Sequence, residues 1–345
     1  MEIIPMKYKN NFMPAFLAML ISLLFASGVF AQNGIEPEKI ERVGLSGWQF
    51  LKINLDARQS AMGGAFTAIS HGDVGSIFGN PAAMSDVKSG DVMFTNINYI
   101  ADIGYYAAAA AYNFEGIGVF AFSIASLNMG DIPETINREI AGEGRTEAFI
   151  TGNTFTGGDF AAGISYAKQI TGQLSIGANV RWIREDIDDL SMNNISVDFG
   201  TIFYTGWKSL RLAMVARNFG PDQNLVGWDE GVQIEPVDVR MPMDFHLAVG
   251  MDFLDGENSP HLLTVVVEAS HPNDGPEKLN TGAEYWFNDI VALRAGYKFN
   301  YDEESFSFGA GLKYGFGAIA GKVDYAFVDF GLLEQVHMFS LGLQF

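Results

Sequence analysis

The sequence predicts an all-β fold, a 14-stranded antiparallel transmembrane β-barrel with an N-terminal plug segment. The chain of 345 residues is 48% hydrophobic and only 18% charged, and it contains 39 glycines. After residue 31, apolar and polar residues alternate in about fourteen segments of roughly ten residues, the length that a tilted strand needs to cross a bilayer. Some connections between these segments are long and polar and others are only two or three residues long, a difference that is typical of a membrane barrel.

The composition excludes several classes of function. A formal net charge of -20 repels a phosphate backbone, so we expect no nucleic-acid partner. The absence of cysteine excludes disulfide scaffolds and thiolate metal sites. The five histidines show no metal-ligand spacing, and the sequence has no Gly-x-Ser-x-Gly elbow. We therefore expect no metal, no cofactor and no enzyme activity.

Residues 1–31 have the features of a cleaved signal peptide. Lys7 and Lys9 make the start positive, an apolar stretch runs from Phe12 to Phe30, and a small-x-Ala cleavage site ends at Ala31. A single membrane anchor is the alternative. An export signal in front of a barrel predicts a location in the outer membrane of a Gram-negative-type bacterium.

Residues 32–90 are predicted to form a plug or hatch inside the barrel. This segment is too apolar for a free tail. Gly63 and Gly64 permit close backbone approach and positive φ, while Pro81 fixes φ and pushes Asn80 toward extended geometry. Irregular backbone is tolerated at membrane depth only when it is buried in protein or lines water. A collar outside the barrel is the alternative.

Residues 91–345 are predicted to form the barrel itself. The segment 242–254 shows the alternation clearly, because Phe245 and Leu247 share one face while Asp244 and His246 share the other. The other predicted strands are residues 91–101, 103–114, 117–127, 159–169, 173–184, 194–205, 209–219, 261–270, 279–287, 290–299, 305–314, 317–327 and 336–345.

The long connections are predicted to be external loops. They comprise residues 128–158, 185–193, 220–241 and 271–278, all of them polar. One of them carries an acidic cluster, for which solvated surface charge is favoured over a cation site. The cluster consists of Glu185, Asp186, Asp188 and Asp189.

The face opposite the lipid carries seven positive and six negative residues, which predicts a paired network without strong ion preference. These residues are Arg181, Arg211, Arg217, Arg294, Lys298, Lys313, Lys322, Asp198, Asp244, Asp252, Glu268, Glu284 and Asp324. The chain ends in an alternating strand with the aromatic residue Phe345, which we interpret as a recognition signal for barrel insertion machinery.

The run from Phe50 to Met84, FLKINLDARQSAMGGAFTAISHGDVGSIFGNPAAM, resembles the N-terminal signature of the PorV/PorQ family of outer-membrane proteins, which is related to the FadL long-chain fatty acid transporters. Where that family often has paired acidic residues, this chain has His71, Gly72 and Asp73. The matching positions are Phe50, Leu51, Ala57, Arg58, Met62, Gly63, Gly64, Ala65, Ala68, Asn80, Pro81 and Ala82. The plug motif is predicted to consist of Arg58, Met62, Gly63, Gly64, Asn80, Pro81 and Ala82.

The resemblance implies a plugged 14-stranded barrel with one of two roles. PorV-like members act in type IX secretion, where they hold the C-terminal signal domain of exported cargo. FadL-like members pass hydrophobic molecules through a plugged barrel and a side opening in its wall. We favour secretion, because long external loops are able to grip a protein, with Leu225, Val226 and Trp228 as candidate cargo anchors.

Under the secretion hypothesis the partners are secreted cargo proteins and the secretion machinery, in addition to outer-membrane lipid. The alternative is transport of a lipid or another hydrophobic ligand. It rests on the plug and on the small side chains of the second and fourth predicted strands, which we expect to leave room for such a ligand.

Overall fold

The computed structural model describes residues 46–140, 144–188, 190–225, 228–229, 232–233, 237–256 and 259–345. The predicted signal peptide, the first part of the predicted plug (residues 32–45) and Val226 lie outside the described residues. Of the other two candidate cargo anchors, Leu225 and Trp228, only the backbone is described. Within the described part of the chain, no helix is long and apolar enough to span a bilayer.

Fourteen antiparallel strands close into one barrel, which confirms the predicted fold class. Each strand pairs with its neighbours along the chain, and the first pairs with the last from Asp91↔Gln344 to Asn98↔His337. The first seven are β1 Gly90–Asn98, β2 Gly104–Phe114, β3 Gly118–Ile140, β4 Arg145–Thr171, β5 Leu174–Ile187, β6 Leu190–Tyr204 and β7 Arg211–Phe219. The last seven are β12 Asp244–Phe253, β13 His261–Pro272, β14 Lys278–Phe287, β15 Val291–Phe299, β16 Phe306–Phe316, β17 Ile319–Asp329 and β18 Gln335–Gln344.

Among the described residues between β7 and β12, four short strands form two small sheets outside the barrel sheet. They are β8 Gln223–Leu225, β9 Trp228–Asp229, β10 Val232–Gln233 and β11 Val237–Val239. In this part of the predicted loop 220–241, β8 pairs with β11 and β9 pairs with β10.

The outer face of the barrel is apolar. In β18, Phe339, Leu341 and Leu343 are each about half exposed, whereas Met338 and Ser340, on the opposite face, are buried. The same alternation runs through the other strands, because successive side chains point to opposite faces of a sheet. An apolar outer surface of this kind suits contact with acyl chains.

The two ends of the barrel differ, and we name them by their connections. At the short-turn end, β4 and β5 are joined by residues 172–173 only, and β16 and β17 by residues 317–318. The chain also enters β1 and leaves β18 at this end. At the long-loop end lie the β3–β4 connection and the segment with β8 to β11.

The prediction that residues 128–158 form an external loop needs correction, because most of these residues are in strands. Residues 129–140 of β3 and 145–156 of β4 continue as a two-stranded ribbon, in which these segments pair with each other and with no other strand of the described ranges. The segments are rich in Thr, Ile and Phe, which favour strands. Their polar residues reflect a position beyond the apolar band and not the absence of structure. Most of the predicted loop 185–193 is likewise strand, since β5 ends at Ile187 and β6 begins at Leu190.

Residues 46–89 lie inside the barrel as short helical turns joined by irregular backbone. Asp56 accepts the backbone N–H of Arg58 at 3.0 Å and begins the helix Ala57–Ala61. Asn80 accepts the N–H of Ala82 at 3.0 Å and begins a 3-10 helix whose first residue is Pro81. These turns satisfy backbone groups that would otherwise be unpaired inside the barrel. The 3-10 helices of this segment are Gln49–Lys52, Val74–Phe78 and Pro81–Asp86, and two more, Ile100–Asp102 and Gly331–Leu333, connect barrel strands.

Candidate functional site: the plug and the lumen

Glycines of the barrel wall bring the plug backbone into direct contact with β14 and β15. Gly282 and Gly296 pair across these two strands. A Cβ added at Gly282 would lie 2.9 Å from the Met62 Cβ, and one at Gly296 would lie 2.6 Å from the Gly63 Cα. Gly63 itself has φ 65°, the left-handed region that glycine adopts without strain. The predicted plug residues Met62 and Gly63 can therefore lie this close to the wall only because the facing wall residues are glycines.

A second glycine pair receives the Asn-Pro-Ala part of the plug motif. Gly177 of β5 pairs with Gly200 of β6. A Cβ at Gly177 would lie 2.6 Å from the Pro81 carbonyl oxygen, and one at Gly200 would lie 3.2 Å from the Pro81 Cδ. The Asn80 side chain donates to the Thr67 carbonyl oxygen at 2.8 Å. Asn80 and Pro81 therefore position the plug against this sector of the wall.

Arg58 joins the plug to the wall through a buried network of charges. Its guanidinium forms a two-point contact with Glu284 of β14, at 2.6 and 2.7 Å, and lies 3.5 Å from Asp73. Glu284 also pairs with Arg294 of β15 at 2.6 Å, and Lys322 of β17 pairs with Asp73 at 2.7 Å. Two-point contacts between guanidinium and carboxylate are among the strong charge-assisted hydrogen bonds. The network therefore holds two plug residues on one sector of the wall, through β14, β15 and β17.

The Asp56 carboxyl belongs to the same region and has an altered pKa. One of its oxygens, Oδ2, has no hydrogen-bond partner within the described part of the chain. Burial, with the nearby charge of Asp73, raises the pKa of Asp56 to about 6. The folded plug therefore holds this proton at a pH where an unfolded plug has released it. Asp56 lowers the stability of the plug progressively as the pH rises from about 4 to about 6.

We therefore expect Asp56→Asn to stabilise the plug above pH 6, by on the order of 2 kcal/mol. Asparagine is as good a helix N-cap as aspartate and does not ionise. The measurement is the thermal unfolding of the purified barrel at several pH values. The two proteins should converge near pH 4, whereas Asp302→Asn at an exposed loop residue should show no such trend. A stability difference that is independent of pH would contradict this assignment.

Other inward-facing side chains hold the rest of the plug. Glu268 of β13 accepts the backbone N–H groups of Phe66 and Thr67 at 3.0 and 2.9 Å. Arg211 of β7 donates to the Ala68 carbonyl oxygen at 3.2 Å and pairs with Asp252 at 2.6 Å. Much of the predicted lumen network thus serves the plug.

Two lumen predictions need correction or addition. Lys313 lies at the short-turn rim, where it pairs with the exposed Asp289 at 3.1 Å, and so it is not part of the lumen network. Sequence reasoning also gave no role to Asp73, because its partner Lys322 is 249 residues away in the chain.

The small side chains of β2 and β4 make room for the plug and not for a ligand, contrary to the sequence-based expectation. Ala109 and Ala161 are buried in one cluster with Phe50 and Phe78 of the plug. The gap that remains beside them, lined by Ala161 and Phe78, measures about 10 Å³. Such a gap is too small for a hydrophobic ligand.

A larger cavity lies at the long-loop end, between residues 46–54 and the barrel wall. Its volume is about 590 Å³, within the range of about 300–1,000 Å³ found for small-molecule sites. One flank is apolar and is formed by Ile97 of β1, Val328 of β17 and Met338 of β18, with Phe50 from the plug. The cavity therefore offers a surface for an apolar molecule at one mouth of the barrel.

Another part of the cavity wall is polar. His246 of β12 lies between two carboxylates, 3.0 Å from Asp244 and 2.7 Å from Glu268. Lys298 pairs with Glu304 at 2.6 Å on the same side of the cavity. Sequence reasoning placed Asp244 and Lys298 in the lumen but did not group them around a cavity.

The fold is shared with solved membrane transporters. The Pseudomonas putida toluene transporter TodX matches with a TM-score of 0.55 at 11% identity, over 88% of this chain and 98% of that one. The Ralstonia pickettii toluene transporter TbuX matches with 0.55 at 14% identity, over 83% and 97%. A Pseudomonas aeruginosa FadL homologue matches with 0.53 at 11% identity, over 84% and 98%. The chain has the FadL-type barrel fold. No family model matches its sequence, and no curated protein does.

In this FadL-type barrel, Phe345 closes the seam between the first and last strands. Its backbone N–H donates to the Gly90 carbonyl oxygen at 2.9 Å, and the Gly90 N–H donates back at 2.8 Å. The aromatic ring lies over Gly90, where an added Cβ would be 2.8 Å from the ring atom Cδ2. Its role as an insertion signal stays a prediction.

The acidic cluster at the top of β5 is divided between two environments. Asp186 pairs with Arg184 at 2.7 Å, and both side chains are largely exposed. Glu185 lines the cavity and accepts the backbone N–H of Trp48 at 3.1 Å. Asp189 lies outside the described residues. In the described ranges no three His, Asp or Glu side chains are placed to hold a metal ion.

Proposed function

We propose that this FadL-type barrel resides in an outer membrane and takes up hydrophobic small molecules from the external side. The cavity of about 590 Å³ at the long-loop end carries the proposal, because it combines an apolar flank with a position at the mouth of the barrel. Long connections face outward in outer-membrane barrels, and short turns face the periplasm. The apolar outer surface and the toluene transporters among the structural matches support the same role.

Passage beyond the cavity requires a movement. The resemblance described above implies a side opening in the wall, but all fourteen barrel strands are hydrogen-bonded to both neighbours. β3 in particular pairs without a break with β2 from Gly104↔Asn128 to Phe114↔Gly118. Residues 46–89 fill the lumen below the cavity. Transport therefore depends on displacement of the plug or on local opening of the wall.

We expect Val328→Trp to lower binding and uptake about tenfold, a change of about 1.4 kcal/mol. Val328 is buried on the apolar flank, so the larger ring would occupy space that the ligand needs. The measurements are calorimetric binding of 1-dodecanol to the barrel in nanodiscs and uptake of the labelled alcohol by cells. Val323→Trp is the matched control, since Val323 lies on the same strand but faces outward and is 47% exposed. Absence of binding to the unaltered barrel would contradict the proposed function.

Type IX secretion is the second candidate, and the ribbon of residues 129–140 and 145–156 favours it. No other described strand pairs with either outer edge of this ribbon, so its backbone groups can accept an added strand from a protein partner. Ile136 and Phe149 on one ribbon face are about half exposed. If secreted proteins with a shared C-terminal β domain fail to copurify with the intact barrel, this candidate has no support.

A further inference from the structure

Several polar atoms around the cavity are buried without a partner. Trp48 Nε1, Asp159 Oδ1, Asp244 Oδ1 and Asn280 Oδ1 have no hydrogen bond within the described ranges, and all four residues line the cavity. A buried polar atom without a partner costs about 1–3 kcal/mol. A pure hydrocarbon in the cavity would leave all four atoms unpaired. The cavity therefore suits a ligand that has polar groups as well as an apolar body.

Asp159 of β4 is a buried carboxyl group without a cationic partner among the described residues. Its side chain is only 6% exposed, and it forms no ion pair with any described residue. The other acidic residue at this end of the cavity is Glu185, so the neighbourhood has the same sign of charge. The aromatic side chain of Trp48 lines the cavity here as well. Carboxylates beside an aromatic ring are the surroundings that an organic ammonium group prefers.

Lys278 of β14 is a cation of the cavity wall without a counter-charge among the described residues, and Arg217 of β7, which also lines the cavity, donates instead to the Phe78 carbonyl oxygen at 2.8 Å. The Lys278 ammonium lies 4.1 Å from the centre of the Tyr301 ring but forms no ion pair with any described residue. The two neighbouring lysines differ in this respect, because Lys298 pairs with Glu304 and Lys52 pairs with Asp274. Lys278 is therefore the lysine of this cavity that is available to a bound anion.

Asp159 and Lys278 lie on nearly opposite sides of the lumen. Around the barrel, five strands separate β4 from β14 in one direction and seven in the other. Fourteen strands at a spacing of about 4.8 Å and a tilt of about 40° give a backbone diameter of roughly 28 Å, which leaves roughly 15 Å between facing side-chain tips. The apolar flank formed by β1, β17 and β18 lies along the longer route, the one of seven strands.

We infer that the cavity binds a zwitterionic amphiphile, with an ammonium group at Asp159, a carboxylate or phosphate at Lys278, and an apolar body between them. Each ligand charge then compensates a wall charge that has no other partner, and the body covers the apolar flank. This inference rests on the proposed function and names its ligand class. Because the two wall charges have opposite signs, a ligand with one charge satisfies only one end of the cavity.

Four probes with the same twelve-carbon chain test this inference by calorimetry in nanodiscs. They are 12-aminododecanoic acid, dodecanoic acid, dodecylamine and 1-dodecanol. We expect the zwitterion to bind about tenfold more tightly than either singly charged probe, since each lost charge contact leaves a wall charge unpaired. Equal binding of all four probes would overturn the inference and leave the proposed function standing. If none of the four probes binds, both the inference and the proposed function are wrong.

Two variants assign the two ends of the ligand. Asp159→Asn should abolish the preference for the zwitterion over dodecanoic acid, and Lys278→Gln should abolish its preference over dodecylamine. Glu139→Gln, at an exposed ribbon residue, should change neither preference. A difference in gel mobility between unheated and heated samples verifies that each barrel is folded. If both preferences survive in both variants, the assignment of the two wall charges is wrong.

Discussion

Replacing Arg58 with methionine should release the plug from the barrel wall. Methionine fills a similar space but leaves Glu284 and Asp73 without the guanidinium that both contact. Removing one partner of a buried ion pair costs about 3–5 kcal/mol, because the remaining charge is left uncompensated. Arg294 and Lys322 compensate these two carboxylates in part, which places the expected loss at the lower end of that range.

The measurement for Arg58→Met is ion conductance in planar bilayers, together with protease sensitivity of residues 46–89 in the purified protein. We expect larger and noisier conductance and faster cleavage, while the barrel keeps its heat-modified mobility. Arg138→Met is the control, since Arg138 lies on the exposed ribbon. Arg58→Lys keeps the charge but loses the two-point geometry, so its effect should be intermediate. A closed, protease-resistant Arg58→Met barrel would show that the charge network does not hold the plug.

The strands could be predicted because a lipid-facing strand has a strict two-residue period. Phe339, Leu341 and Leu343 alternate with Ser340 and Gly342, and this pattern specifies both the strand and its outward face. The ribbon was missed because it lies outside the bilayer, where neither of its faces contacts lipid. Its apolar residues are therefore not confined to one face, and residues 129–140 were interpreted as a loop although they pair regularly with β4.

The candidate site was predictable only in part. The sequence indicated that the lumen carries charges of both signs. It did not indicate which residues form ion pairs, because partners such as Arg58 and Glu284 are 226 residues apart. The cavity depends on how residues 46–54 lie in the barrel, which no local pattern specifies. The inward-facing glycines did carry a usable signal. A glycine within a strand often marks close approach of another backbone, and Gly282 and Gly296 both do so here.

That close approach leads to the second large effect, which we expect from Gly296→Ala. The new Cβ would overlap the backbone of Met62 and Gly63, and backbone atoms inside the barrel cannot move aside as a flexible side chain does. Overpacking of a well-packed interior typically costs about 1–3 kcal/mol, and we expect the upper end here because the clash is with backbone. The plug should leave its place while β15 stays in the barrel, since alanine is compatible with a strand.

The matched control is Gly321→Ala in β17, where an added Cβ would meet no atom within 4 Å. The two substitutions make the same chemical change on strands of one sheet and differ in whether the plug lies against the glycine. Thermal unfolding, conductance and protease sensitivity should change for Gly296→Ala and stay at the level of the unaltered barrel for Gly321→Ala. Equal behaviour of the two variants would mean that the plug does not contact the wall at Gly296. In that case the conductance expected of Arg58→Met would have to arise from the barrel itself.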